Sequence, residues 1–398
     1  MCCIRKLLFV TLFLTVSLQA EAPKKRLLVL CSNGGHCHKA AAQTLKNLLS
    51  DEYDFTIVFP IDDLHIWGVK SGEGIYNFML QNGWIQSMNL VSKHVAPKVF
   101  RTKKADIEAI VKTYIESSAP DLVISLIPFI NFPASEAARK SDIPYLLITL
   151  DNDLRTWVHG LQGIQHPHFK VTVVSDLSGT KGLLRRRNVP EDAITTLGFP
   201  IRADFFVTKD TSSLRKEFQI PPNKPVILMI GGGSGGKQLL EYAKRIGQMM
   251  LGAHLIVCAG DNQKLAKNLR KIHLHPTNSM TVMGFTHRMA DLMAIADLLI
   301  TKPGPGTLTE AMTMQLPILA DATAPILSWE RANIHLIKQY KIGEVIQNFN
   351  QLEPTLRQFL FDTEFRKEIQ DAYHSNPTNS FNELIKPLID SMCSREEL

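Results

Sequence analysis

Cysteine is scarce in this chain and badly spaced for cross-linking. Six occur in 398 residues, Cys2, Cys3, Cys31, Cys37, Cys258 and Cys393, with no C-x-x-C pair among them. That spacing excludes a disulfide framework, and buried or partly buried free thiols are expected. A zinc site from Cys31, His36, Cys37 and His38 is set aside, because adjacent residues at a strand end diverge and no second ligand pair of matching spacing exists. Charge is also limited: 21% of residues are charged and the net charge is +6. An excess that small and dispersed argues against nucleic acid. It suits an anionic lipid surface or a phosphate-bearing ligand. No stretch beyond residue 22 is apolar for long enough to span a bilayer. Disorder is excluded as well, since 45% of residues are hydrophobic and the length fits two domains, each able to bury a core.

The first 22 residues stand apart. Arg5 and Lys6 precede the apolar run Leu7 to Leu18, and Ala20-Glu21-Ala22 follows. Charged, apolar, then small-x-small is the order of a secretory signal. Lys24-Lys25-Arg26 follows directly, and a basic cluster there opposes export. Residues 1–22 are therefore either a cleaved signal or a retained anchor.

From Lys25 onward, strands alternate with helices. The continuous apolar runs Arg26–Ser32, Asp54–Pro60, Asp121–Pro128, Pro144–Leu150 and Lys170–Ser175 read as buried parallel strands. The rhythm resumes at Pro225–Ile230, Ala253–Ala259, Met280–Phe285, Asp297–Thr301 and Pro317–Ala320. The fold class is α/β, with two doubly wound domains. Boundaries fall at 23–200 and 201–350, with the seam at Gly198–Asp204, and a helical tail over 351–398 packs back across it. Between Ile61 and Pro97 no clear strand is expected. That region carries Trp67, Ile75, Tyr76, Phe78 and Trp84, followed by Lys93, Lys98, Arg101, Lys103 and Lys104. It is either an interfacial membrane element or part of the first core.

Four motifs sit at strand ends. Ser32-Asn33-Gly34-Gly35-His36 lets the backbone turn tightly before a helix, and places a histidine fit to act as a base at the carboxyl edge of the sheet. Gly231 to Lys237 is another glycine turn, with Gly233, Ser234 and Gly235 at its centre; its amides can cradle a diphosphate. It is not a Walker A loop, because Gln238 follows the lysine. In Thr301 to Glu310, Gly306 and Thr307 offer helix N-terminal amides, and Glu310, expected within the first helical turn, offers acceptors for ribose hydroxyls. Asp151-Asn152-Asp153 could hold a metal, but glycine-rich phosphate turns make that redundant, and a structural or acceptor-side role is preferred.

Taken in order, these elements resemble the glycosyltransferase family that contains monogalactosyldiacylglycerol synthases, processive diacylglycerol glucosyltransferases and the murein transferase that makes lipid II. The resemblance runs from Arg26 to Val345. It is strongest at Gly284-Phe285, Met289–Asp297, Thr301–Met312 and Leu316-Pro317-Ile318, with supporting matches at 120–128 and 197–205. Asp151 or Asp153 with Trp157 is similar to an aspartate-to-tryptophan segment of the diacylglycerol-type members. The resemblance implies two Rossmann-like domains facing a cleft, the GT-B arrangement, and an inverting transfer with no essential metal and no cofactor. It implies that His36 is the base, that Phe285 and Thr286 read uracil, and that Glu310 holds the ribose. Gly233, Ser234, Gly235, Gly306 and Thr307 would stabilise the diphosphate. Glu330 and Asn333 would contact the donor sugar. Gly34, Gly35, Asp151 and Trp157 would lie on the acceptor side. One departure is plain: Trp329 stands where relatives carry glutamine, and its side chain cannot accept a hydrogen bond.

The implied partners are a UDP-sugar, a lipid acceptor and a membrane surface, not nucleic acid. Because UDP-sugars are cytoplasmic, retention at the cytoplasmic face of the inner membrane through residues 1–22 fits better than export after cleavage. A polyprenyl-linked or other acceptor, UDP-sugar epimerisation, and an inactive UDP-sugar-binding homologue remain as alternatives.

Overall fold

The computed structural model describes residues 23–34, 37–66, 69–70, 72–175, 177, 179–232, 238–376 and 379–394; residues 1–22, with Trp67, lie outside that set. Two six-stranded parallel sheets form the centres of two lobes. In the first lobe the strands are β1 (Lys25–Leu30), β2 (Tyr53–Val58), β5 (Leu122–Ser125), β6 (Tyr145–Ile148), β7 (Phe169–Val173) and β8 (Ile194–Thr196), in the order β2-β1-β5-β6-β7-β8. A two-residue hairpin, β3 (His65–Ile66) with β4 (Val69–Lys70), falls in the stretch where no strand was expected. The second lobe contains β9 (Val226–Ile230), β10 (His254–Cys258), β11 (Ser279–Met283), β12 (Leu298–Thr301), β13 (Ile318–Asp321) and β14 (Gly343–Ile346), in the order β11-β10-β9-β12-β13-β14.

Helices cover both faces of each sheet, which explains the composition of the strands. Leu27 to Leu30, Leu122 to Ser125, Tyr145 to Ile148 and Val226 to Ile230 are buried at every position. A strand covered on both sides has no polar face, so alternation disappears and a continuous apolar run remains. The edge strands β8 and β14 are short and polar at several positions, and such segments escape an apolar-run reading.

Strand order determines where a ligand fits. In each sheet the connections reverse direction beside the first strand, between β1 and β5 and between β9 and β12. The loops leaving those four strands open a crevice at the carboxyl ends, the usual ligand position in such sheets. The described parts of the glycine turns occupy three of these loops.

The lobes are tied by the chain's last helices. Tyr373, from helix Thr363–Ser375, donates its hydroxyl to the Leu316 carbonyl at 2.6 Å in the second lobe. Helix Phe381–Ser394 instead reaches the first lobe, where Lys386 pairs with Glu52 at 2.9 Å and Tyr53 bonds Asp390. Just before it, Asn379 accepts from the Phe199 amide at 2.8 Å and donates to the Phe199 carbonyl at 2.9 Å. Gly198 is essential there: its φ is +102°, and an added Cβ would lie 1.9 Å from Asn379 Oδ1.

Candidate active site

The first lobe contributes the turn after β1 and helix α1 (Cys37–Leu49). The Gly34 amide donates to Ser32 Oγ at 2.9 Å, and a Cβ on Gly34 would meet the Tyr76 ring at 3.5 Å. Gly35 and His36 lie outside the described residues. Half-buried His38 donates from Nδ1 to the Leu126 carbonyl at 2.6 Å, fixing the start of α1 against the loop after β5. Burial lowers its pKa, so it serves as a neutral strut. Asp151, just beyond β6, accepts from Trp157 Nε1 at 2.8 Å, and Trp157 is fully buried. Of the two candidate aspartates, Asp151 therefore partners the tryptophan; Asp153 pairs with Arg155. Burial raises the Asp151 carboxyl to about 7, against the lowering effect of the Trp157 bond.

The second lobe supplies the loop after β12. Helix Pro305–Thr313 begins with proline, whose missing N–H and fixed φ suit the first helical position. No side chain caps it. The amides of Gly306 and Thr307 are thus left at a positive helix end. A Cβ on Gly306 would lie 3.9 Å from Cys37 Sγ and 3.7 Å from the Phe199 ring. The starts of two helices, one per lobe, therefore meet across the cleft. Because the helix begins at Pro305, Glu310 falls in its second turn, not its first, and cannot be read as a residue stabilised by the helix dipole. Burial raises its carboxyl to about 7, opposed by Arg202.

Lys302 lies at the centre of this arrangement, and sequence reasoning did not single it out. Its Nζ donates to Glu330 Oε1 at 2.6 Å. Its Cε would touch a Cβ placed on Gly232 at 3.4 Å or on Gly304 at 3.5 Å. The lysine stem therefore packs in van der Waals contact against both phosphate-type turns. Burial weakens the Lys302 ammonium, but the charge and hydrogen bond of Glu330 more than offset this and raise its pKa. Glu330 is only 4% exposed.

The other sequence candidates are spread around this centre. Gly233, Ser234 and Gly235 lie outside the described residues. Phe285 is exposed and meets His287 edge-on at 5.1 Å, while Thr286 accepts from the Arg288 amide at 3.1 Å. Arg202 donates to the His287 carbonyl at 3.1 Å, joining the interlobe linker to this rim. Asn333 is fully buried; it accepts from Asn152 Nδ2 at 2.8 Å and donates to the Pro303 carbonyl at 2.7 Å. In this conformation its amide ties the lobes together. Trp329 stacks on Tyr76 at 6.5 Å. Burial raises the Tyr76 hydroxyl pKa, and the charges of Glu330 and Asp151 push it further up.

Two Rossmann-like lobes whose facing helix starts border a glycine-lined cleft define the GT-B class of glycosyltransferases. Residues 226–320 match the glycosyltransferase family 28 C-terminal domain, so the second lobe carries a glycosyltransferase-type domain. It is 26% identical over 366 residues to the chloroplastic monogalactosyldiacylglycerol synthase of Spinacia oleracea, covering 86% of this chain and 67% of the relative. The corresponding enzyme of Arabidopsis thaliana is covered over 63% of its length, so the chain spans about two thirds or less of these plant proteins. The processive diacylglycerol beta-glucosyltransferase of Bacillus subtilis is 23% identical, with 94% of this chain and 98% of the relative covered. The fold matches the crystal structure of Acinetobacter baumannii MurG with a TM-score of 0.63 at 16% identity, over 93% of this chain and all of that one.

Proposed function

We propose that the chain transfers a hexose from a UDP-sugar to a membrane lipid acceptor such as diacylglycerol, with inversion, using His36 as the base. The observation that carries this reading is the close approach of the two helix starts, Cys37 beside Gly306, with Asp151, Lys302 and Glu330 around them. The residue before Cys37 is His36. The proposal therefore assigns the base to the position next to this approach of the two lobes. The acceptor hydroxyl attacks the anomeric carbon as the bond to the β-phosphate oxygen breaks. His36 takes the hydroxyl proton, a contribution of about 10²–10⁴-fold for such a group. The Gly306 and Thr307 amides and the Lys302 ammonium stabilise the charge gathering on the leaving UDP. Glu310 and Phe285 take the ribose and the base, and Glu330 takes the sugar.

The acceptor side has a matching surface. α2 (Gly72–Gln81), α3 (Ile85–Leu90), α4 (Ala96–Thr102) and the segments joining them leave Ile75, Phe78, Trp84, Leu90, Val91 and Val95 exposed. Lys93, Lys98 and Arg101 are exposed on the same stretch. Exposed apolar and cationic groups together suit an anionic bilayer surface. No described helix is long and apolar enough to cross a membrane, so this contact is interfacial.

The test is a screen of UDP-glucose, UDP-galactose and UDP-N-acetylglucosamine with diacylglycerol vesicles, run on the full chain and on His36→Ala. One donor should yield glycolipid with the full chain. The variant should lose transfer while binding UDP within about twofold of the parent. Substantial turnover by His36→Ala rejects the base. Donor conversion without acceptor marks an epimerase instead, and UDP binding without turnover of any donor marks a binding protein.

A further inference from the structure

Helices α2 and α3 have two faces with different partners. The outer face carries the exposed Ile75, Phe78 and Trp84, and Phe78 meets Trp84 edge-on at 5.6 Å. The inner face grips the second lobe. Met79 and Met88 enclose Leu327, which is 3% exposed. Tyr76 stacks on Trp329. Asn89 donates from Nδ2 to the Ile326 carbonyl at 2.9 Å and accepts from the Ser328 amide at 2.7 Å. One planar amide thus satisfies two backbone groups of the other lobe, a task that needs a donor and an acceptor on one short side chain. The gripped segment runs directly into Glu330, whose carboxylate holds Lys302.

We infer that Asn89 and the Tyr76–Trp329 stack are positioning residues that couple the α2–α3 surface to the donor pocket. This deepens the reading above and rests on it. A group on the outer face orders the α2–α3 pair, that pair fixes residues 326–329, and these set Glu330 and Lys302 where a diphosphate-sugar meets them. Membrane engagement and donor binding then strengthen each other by one shared factor, because coupling between two sites is reciprocal. Trp329 has a role in this arrangement that glutamine does not fill: a flat apolar partner for Tyr76.

The test measures UDP affinity by calorimetry with and without phosphatidylcholine vesicles carrying a minority of phosphatidylglycerol, and vesicle affinity with and without UDP. With the full chain, each ligand should tighten the other about five- to tenfold, and by the same factor in both directions. Asn89→Ala should still bind both, each within about twofold when alone, with the mutual factor reduced to about one. Asn89→Asp keeps the acceptor for the Ser328 amide and should retain part of the coupling. In turnover at saturating vesicles, Asn89→Ala should raise the donor KM more than it lowers kcat. A far-ultraviolet spectrum and urea midpoint like the parent's keep the variant informative. Two bound ligands with no mutual effect in the full chain overturn the inference and leave the function standing, as does undiminished coupling in Asn89→Ala. A full chain that binds neither UDP nor vesicles overturns both.

Discussion

Asp151→Asn should remove a pH-dependent loss of stability without removing a contact. In the folded chain burial holds this carboxyl near 7, whereas an unfolded aspartate titrates near 3.9. Between those values the folded state keeps a proton that the unfolded state has released. Stability from this group is therefore complete below about pH 4 and is lost as pH rises through 7. Three units of difference correspond to about 4 kcal/mol at most. Because Asp151 retains some solvent exposure, screening reduces that to roughly 2 kcal/mol. Asparagine is neutral throughout and its Oδ1 can still accept from Trp157 Nε1. Stabilities from urea unfolding followed by tryptophan fluorescence should therefore agree within about 0.5 kcal/mol for parent and variant near pH 4.5. They should diverge by roughly 2 kcal/mol in favour of the variant by pH 8. Glu310, also near 7, adds a similar slope to both proteins and cancels in the difference. A constant gap across this range would refute the assignment of Asp151 as a proton-holding buried carboxyl.

Lys302→Met leaves the Glu330 carboxylate buried without its cation. Since the lysine side chain is 42% exposed, the loss should be about 2–3 kcal/mol, at or below the low end for such pairs; adding Glu330→Gln should recover most of it in a double-mutant cycle of urea midpoints. Gly306→Ala meets only ordinary contacts, so the urea midpoint should hold or rise by up to about 1 kcal/mol. Calorimetry should nonetheless show UDP binding weakened about tenfold, because the methyl group stands where the amide must approach a phosphate.

The fold was legible because parallel strands covered on both faces leave a simple trace. Val226–Ile230 and Leu298–Thr301 are apolar runs closed by glycine-rich turns, and two such series imply two sheets. The site was legible only in its backbone-driven parts. A glycine turn announces itself locally, since few other functions need that composition. Lys302 did not, because its meaning depends on Glu330, 28 residues further on, and on the two turns it packs against. Tyr76 was seen as one aromatic among several; only packing reveals that it touches both Gly34 and Trp329. Glu310 was shifted by one turn because Pro305 starts the helix earlier than the glycine after it suggests. Asn333 was matched by its spacing after Glu330, and spacing carries no information about the two bonds that occupy its amide.

The choice of donors around the cleft bears on turnover. The lysine that packs against both glycine turns, Lys302, is already held by Glu330 at 2.6 Å, and the described donors at the start of helix Pro305–Thr313 are uncharged amides. A cluster of free cations would grip a diphosphate equally before and after the sugar leaves, and uniform binding of that kind does not lower the barrier. Oriented amides and a shared lysine act differently. In the proposed transfer, charge moves onto the β-phosphate as the glycosidic bond breaks, and Lys302 would shift its bonding from Glu330 toward it. The carboxylate so released is then available to a sugar hydroxyl. On this reading the Lys302–Glu330 pair stores in the resting enzyme the interaction that the transition state uses. Conservative replacement of Lys302 by arginine, whose rigid fork cannot divide its donors in the same way, should reduce kcat more than it reduces UDP affinity.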